Sequence, residues 1–311
     1  MRVFIDGIPI AEIPVNGKQA NATVPIELKR GKHWITAIAH NEQGYSSIPQ
    51  SIMVDASKVK AKGSNLYVLG IGVDKYPNLP PKNNLDYAKQ DIIAFSNTIK
   101  LNPAKQYDKI VIKQLLDQQA TSNNIQQVLN NIIQQATIDD TIMLYFAGHG
   151  DKGSNDKFYF LTSQTSLEDF ENTGLAWEKV ATLLAKAKAK VVVFLDACHS
   201  GIASQETVVP NDKYVAELMK SGKTGMVIIA ASKGRQSSLE GLQFGGGHGI
   251  FNYMITQALT TKRQTTDLNK NGIIELSELY RSVKYNVRKH TNGKQTPWIS
   301  RNEIIGEMPL L

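Results

Sequence analysis

Two residues in this chain have the types and surroundings for covalent chemistry. The only cysteine, Cys198, sits near the end of Lys190-Val-Val-Val-Phe-Leu-Asp-Ala-Cys-His-Ser-Gly201. A histidine between glycines, His149, ends the upstream run Thr141-Ile-Met-Leu-Tyr-Phe-Ala-Gly-His-Gly150. A solitary cysteine at a strand end is by default a small buried hydrophobe. A thiolate is a nucleophile, however, when a histidine within hydrogen-bond reach takes its proton and later protonates the leaving amine. Both runs are rich in β-branched and aromatic residues and read as buried strands of a parallel sheet. Ligands bind at the carboxyl edge of such a sheet. Two strands that each deliver one member of a Cys/His pair to that edge would make a nucleophile and its base.

Gly148 and Gly150 let the chain turn and a substrate approach His149 closely. The backbone N–H groups of Gly150 and Cys198 are candidate donors for an oxyanion hole. His199 competes as the base, but successive residues of an extended strand point to opposite faces. His248, in Gly245-Gly-Gly-His-Gly249, is a more distant third.

The elements that must position this pair follow from periodicity. Residues 1–56 read as a small all-β segment, with short strands at Val24–Leu28, Trp34–Ala39 and Ser51–Val54. Its phrase Leu28 to Ser46 resembles the late strands of bacterial immunoglobulin-like domains. The segment is too short for the roughly seven strands of a whole sandwich, so a partial one is expected, serving as a spacer or as a docking surface for a protein partner. Residues 57–65 are a polar, basic linker.

Strands and amphipathic helices then alternate, the signature of a mostly parallel α/β sheet. A first strand covers Leu66–Val73. A helix carries Leu85, Ala88, Ile92, Phe95 and Ile99 on one face, and a strand follows at Lys109–Leu115. Thr121-Ser-Asn-Asn124 supplies capping residues for a helix with Ile125, Leu129 and Ile132 inward. After the histidine strand come a short strand at Phe158–Leu161 and a helix over Trp177–Lys188, which leads into the cysteine strand. Residues 202–224 are polar, and a strand at Met226–Ala231 follows them. Helices near 250–260 and 276–289 and an edge strand at Thr296–Ile299 close the chain.

Composition narrows the partners. Hydrophobic residues make up 41% and charged residues 20% of the 311 positions, ordinary for a chain that buries a core. The formal net charge of +7 raises nucleic acid as a partner, but no groove-reading or RNA-binding motif accompanies the lysines. A solvated basic surface is expected, with no nucleic acid partner. No apolar run approaches the ~20 residues needed to span a bilayer, so no membrane partner is expected. A lone thiol suits a reducing, cytoplasmic compartment. The opening is strand-like at once and lacks a signal-peptide layout, and it reads as a chain cut from a longer protein with domains upstream.

Tyr145-Phe-Ala-Gly-His-Gly150 and Asp196-Ala-Cys-His-Ser-Gly201 resemble the catalytic signatures of the caspase-like cysteine peptidases, on the metacaspase and bacterial orthocaspase side. The histidine lies about 50 residues upstream of the cysteine, as in caspases. The resemblance covers about residues 64–300. It implies an α/β caspase-like sandwich, with a central mostly parallel sheet flanked by helices: a large catalytic section at 66–201, a linker at 202–224 and a small section at 225–311. By resemblance Cys198 is the nucleophile and His149 the base of an endopeptidase acting through a thioester. The alternative is a catalytically idle caspase-like module used for binding in a signalling or defence assembly.

One departure from true caspases bears on the substrate. Their signature has a glutamine two residues before the cysteine; here that position is Asp196. An anionic pocket wall favours a cationic side chain and penalises an acidic one. The resemblance adds Asp91, at the position whose aspartate joins the first in gripping a basic side chain, and Ala88 and Ala147 where metacaspases often carry Cys and Ser. Cleavage after Arg or Lys is therefore expected, on protein or peptide substrates. The linker carries Lys213, Lys220 and Lys223, so such an enzyme could cut itself there.

One more motif stands apart. Asp267-Leu-Asn-Lys-Asn-Gly-Ile-Ile-Glu-Leu-Ser-Glu278 fits the twelve-residue calcium loop. Asp267, Asn269, Asn271, Glu275 and Glu278 are its candidate Ca2+ ligands, with two asparagines lowering the ligand charge. The plainer reading is a turn capping the last helix. The Cys/His chemistry itself requires no cofactor.

Overall fold

Strands that are apolar on both faces need helices on both sides, and the order of elements supplies them. The structure, a computed structural model, describes residues 1–15, 21–28, 31–41, 45–58, 63–101, 107–155, 157–199, 226–232, 238–301 and 307–311, without the side chains of 198, 199, 300 and 301. The expected linker at 202–224, with its three lysines, lies outside the described residues.

The N-terminal segment forms one antiparallel four-stranded sheet in the order β2-β1-β3-β4: β1 Arg2–Ile5, β2 Ile8–Glu12, β3 Lys32–Ile38 and β4 Gln50–Asp55. Val24–Leu28, expected as a strand, is in no ladder. Pro25 has no N–H to give to a neighbour.

The rest builds one mostly parallel sheet. In chain order its elements are β5 Ser64–Gly72, α1 Ala88–Leu101, β6 Tyr107–Leu116, α2 Ser122–Gln135, β7 Thr141–Lys152, β8 Phe158–Phe160, α3 Phe170–Thr173, β9 Leu175–Ala176, α4 Trp177–Leu184, β10 Lys190–His199 and β11 Met226–Ala230. There follow β12 Glu240–Gly241, β13 His248–Gly249, α5 Ile250–Leu259, α6 Arg263–Thr266, α7 Leu276–His290 and β14 Trp298–Arg301. The order across the sheet is β14-β11-β10-β7-β5-β6; β14 is antiparallel to β11, and β8 and β9 hang off β7. From β5 the chain steps outward to β6 and then back past β5 to β7. That reversal is a topological switch point, beside which such sheets open a crevice at their carboxyl edge.

Alternate residues of each strand feed two cores. Leu69, Ile71, Leu144, Phe146, Val193 and Leu195 pack with Leu129 of α2 and Val180 of α4. Val68, Tyr145, Val192 and Phe194 pack on the other face with Ile92 and Phe95 of α1, Phe251 of α5 and Val283 of α7. Thr121 caps α2 as expected, its hydroxyl accepting the Asn124 N–H at 3.2 Å. Leu85, expected within α1, precedes it and donates its N–H to the Asp74 carbonyl at 2.8 Å. α4 stops at Leu184, short of Lys188.

The N-terminal sheet sits against the parallel-sheet unit. Buried Asp6 takes the Lys190 ammonium at 2.8 Å, His33 Nδ1 at 2.9 Å and the Trp34 N–H at 2.8 Å. Lys190 is the first residue of β10, the cysteine strand. Burial alone would raise the Asp6 carboxyl; Lys190 and then His33 outweigh it and bring it down to about 2. Trp34 Nε1 donates to Glu275 at 3.0 Å, and the Lys32 ammonium reaches the Asn271 carbonyl.

Candidate active site

The two signature motifs meet in register. β7 and β10 run parallel for ten residue pairs, Lys190 opposite Thr141 through Cys198 opposite His149 to His199 opposite Gly150. Both strands end at the carboxyl edge, next to the switch point between β5 and β7. Neighbouring strands lie about 4.8 Å apart, so the backbone alone sets Cys198 beside His149.

The His149 ring is held from behind. Its Nε2 lies 2.8 Å from the Asn83 carbonyl oxygen. A carbonyl only accepts, so Nε2 carries the hydrogen and Nδ1 of the neutral ring keeps its lone pair. The His149 N–H donates to the Tyr76 hydroxyl at 2.9 Å, and the two rings lie 5.1 Å apart. Burial pushes the imidazole below its ordinary value, more than the Asn83 bond and Asp151 pull it up. A neutral ring at pH 7 is the form that can take a proton. Gly150 is paired on both sides, opposite His199 and opposite Phe160 of β8.

Asp196, Ala147 and Gly72 form one row across β10, β7 and β5, on the face covered by α1 and α5. Bare Gly72 lets α1 lie close: a Cβ there would come 2.8 Å from the Ala88 carbonyl oxygen. That approach seats Ala88 and Asp91 over the row. Asp91 and Asp196 both face Gly249, where a Cβ would lie 2.8 Å from one carboxylate and 3.2 Å from the other. All four residues assigned to the substrate pocket by resemblance are therefore buried close together.

The acids differ in their support. Asp91 takes the Gly249 N–H at 3.0 Å, the Asn252 amide at 3.1 Å and His248 Nδ1 at 2.7 Å. Burial still raises its carboxyl above the usual range. Asp196 has two hydroxyl partners, Ser238 and, at 3.5 Å, Tyr145. Burial first, and then the charge of Asp91, push it up to about 7. Two carboxylates in a shared site resist double ionisation, and a cation between them would relieve it.

Sequence reasoning missed several of these neighbours. Asn83 acts through a backbone carbonyl, which carries no residue-type signal. His248, read as a remote candidate base, is instead a partner of Asp91. Glu240 stands exposed nearby; desolvation and then Asp86 and Asp91 raise its carboxyl. Asn252 is fully buried, and its carbonyl oxygen has no hydrogen-bond partner among the described residues.

The five candidate calcium ligands are also gathered, as a hydrogen-bonded turn. Asp267 accepts the Asn271 and Gly272 N–H groups, and Asn269 also accepts that of Asn271. The Asn271 side-chain oxygen accepts the Ile273 N–H. Glu278 accepts the Leu268, Asn269 and Glu275 N–H groups, while Glu275 takes the Asn269 and Asn271 amides beside Trp34. Glu275 and Glu278 form a capping box for α7. Every carboxylate oxygen of the loop already accepts a hydrogen bond. Among the described residues no group of three or more His, Cys, Asp or Glu is arranged to hold a metal. The donor set thus matches calcium in composition, while its arrangement fits a self-capped turn.

Comparison with known proteins agrees with this architecture. The family model described as Caspase domain matches residues 66–308, most of the chain. The chain belongs to the caspase domain family, whose members are generally cysteine peptidases. Among solved structures, protein GSU0716 from Geobacter sulfurreducens has a TM-score of 0.51 at 15% identity, with 76% of this chain and 92% of that one covered. That likeness shows the fold. Caspase-1 from Spodoptera frugiperda has a TM-score of 0.48 at 11% identity, over 78% of this chain and 89% of that one. Raptor from Chaetomium thermophilum has a TM-score of 0.35 at 14% identity, over 67% of this chain and 19% of that one. No curated protein matches the chain by sequence. Among the described residues no helix is long and apolar enough to cross a membrane.

Proposed function

We propose that this protein is a cysteine endopeptidase that cuts after Arg or Lys, with Cys198 as nucleophile and His149 as base. The observation that carries the reading is the register of β7 with β10, which sets Cys198 beside a His149 whose Nε2 is committed to Asn83. Nδ1 is then the atom that takes the thiol proton. The thiolate attacks the substrate carbonyl carbon, and the N–H groups of Gly150 and Cys198 hold the tetrahedral oxyanion. His149 returns the proton to the leaving amine, and the acyl group stays on sulfur as a thioester. Water, deprotonated by the same imidazole, then releases the acid.

The preference for a basic side chain rests on Asp91 and Asp196, two buried carboxylates facing one glycine position. A guanidinium or ammonium arriving there meets Asp196, whose partners among the described residues are the Ser238 and Tyr145 hydroxyls and no cation. Asn252 and Glu240 offer further acceptors beside them, and Ala88 and Ala147 leave room. The self-capped calcium-like loop takes no part in this chemistry. Self-cleavage at Lys213, Lys220 or Lys223 is a corollary of the specificity. The proposal is tested with arginyl, lysyl and aspartyl reporter peptides, using Cys198→Ala as the blank. Cutting of the two basic reporters alone supports it. Equal cutting of all three, or of the aspartyl one alone, refutes the specificity, and no cutting supports an idle binding module.

A further inference from the structure

A groove of about 1010 Å³ runs between α6 and α7, and five cations line it: Lys262, Arg281, Lys284, Arg288 and Lys289. The positive charge of the chain is concentrated here. Residues 262–294 hold eight Lys and Arg against three acids, five of the net +7. Two of those three acids, Glu275 and Glu278, are buried. Among the described residues Glu278 is the only acid that lines the groove, and it is buried and turned to backbone N–H groups of its own loop. None of the five cations forms a salt bridge with a described acid.

Helix stability alone does not explain this arrangement. Arg288 and Lys289 lie in the last turn of α7, where cations complement the helix dipole. Arg281 and Lys284 do not. With Tyr285, Arg288 and Lys289 they form the stripe i, i+3, i+4, i+7, i+8, which sets like charges beside one another at spacings that disfavour the helix. An anionic occupant would reverse that cost.

The groove also offers apolar contact, since Tyr285 and Leu268 are 63% and 52% exposed. An ammonium group lies over one face of each tyrosine: Lys284 is 5.2 Å from the Tyr280 ring centre and Lys289 6.0 Å from that of Tyr285. Covered faces are poor platforms for stacked bases, whereas tyrosine edges and lysine stems suit aliphatic side chains. We propose that the α6–α7 groove docks a linear acidic segment of a partner protein, with Glu or Asp side chains on the cations and an aliphatic side chain against Tyr285 and Leu268. This goes beyond the peptidase reading and holds whether or not the chain cuts peptides.

Fluorescence anisotropy with a short labelled peptide of alternating Glu and Leu tests it on the whole chain. The comparison probes are a Glu/Ser peptide of equal charge, a single-stranded oligothymidylate and phosphatidylserine vesicles. The expected result is binding of the Glu/Leu peptide at low salt, several-fold tighter than the Glu/Ser peptide and weakening as salt rises. Arg281→Glu with Arg288→Glu should weaken it at least about tenfold. Lys284→Gln with Lys289→Gln, which removes charge without reversing it, should weaken it less, while circular dichroism stays unchanged in both. No binding by the natural chain, undiminished binding by the charge-reversed one, or tighter binding of oligothymidylate or vesicles would overturn the proposal.

Discussion

If the chain cuts after arginine as proposed, the pH dependence of cleavage separates Asp196 from His149. Asp196 is raised to about 7 by burial and by Asp91, whereas burial lowers His149 from its ordinary value. In the free enzyme Asp196 must lose its proton before it can meet a guanidinium. With a value near 7, its ionised fraction falls from about nine-tenths at pH 8 to about one-tenth at pH 6. kcat/KM reports the free enzyme and kcat the bound complex. An arginyl reporter should therefore lose about tenfold in kcat/KM from pH 8 to pH 6, with kcat nearly flat over the same range. Bound guanidinium pulls Asp196 down, so kcat falls only at the lower pH where His149 is protonated. Asp196→Asn should cut kcat/KM by roughly two to three orders of magnitude, the scale for truncating one partner of a buried charge pair. It should also move the remaining acid limb below pH 6.5. Stopped assays from pH 5 to 9 on both proteins decide it. Coincident limbs for kcat and kcat/KM in the natural chain, or an unmoved limb in Asp196→Asn, would refute the reasoning.

Three further outcomes follow from other contacts. Asp6 is depressed to about 2 in the folded chain, so its contribution is present above about pH 4 and is lost as pH falls through about 2. The shift corresponds to about 2 kcal/mol; Asp6→Asn should lower urea stability at pH 7 by that order, and the two proteins should converge near pH 2. Gly249→Ala places a Cβ against both pocket carboxylates. It should raise KM for arginyl reporters several-fold and leave alkylation of Cys198 by iodoacetamide unchanged. A calcium site with a Kd of about 1 mM would add about 1 kcal/mol at 5 mM calcium. The self-capped loop predicts no rise in unfolding temperature, and a clear rise that Asp267→Asn abolishes would show a bound ion.

What was legible in the sequence was what repeats along a strand or helix. The strands that carry His149 and Cys198, the parallel sheet and the helices on its faces follow from period and propensity, and β7 and β10 are in place. The pairing of Asp91 with Asp196 was legible only through the resemblance, since Asp91 on its own is an ordinary helix acid. Contacts between remote residues left no local trace. Asp6 and Lys190 are 184 positions apart and join two sheets, and Asn83 holds His149 through a carbonyl that any residue would provide. The calcium-like loop was legible as a pattern, but the pattern is silent on which donors satisfy its oxygens. The stripe on α7 was read as part of a dispersed basic surface; its convergence with Lys262 across a groove needed the fold.

An activated Cys198 beside a pocket for a basic side chain should react selectively with a basic affinity label. Mass spectrometry after exposure to arginyl and aspartyl chloromethylketones tests it most directly. One arginyl adduct is expected, on Cys198, formed much faster than any aspartyl adduct and slowed in Asp91→Asn. No adduct on Cys198, or equal labelling by the two reagents, would contradict it.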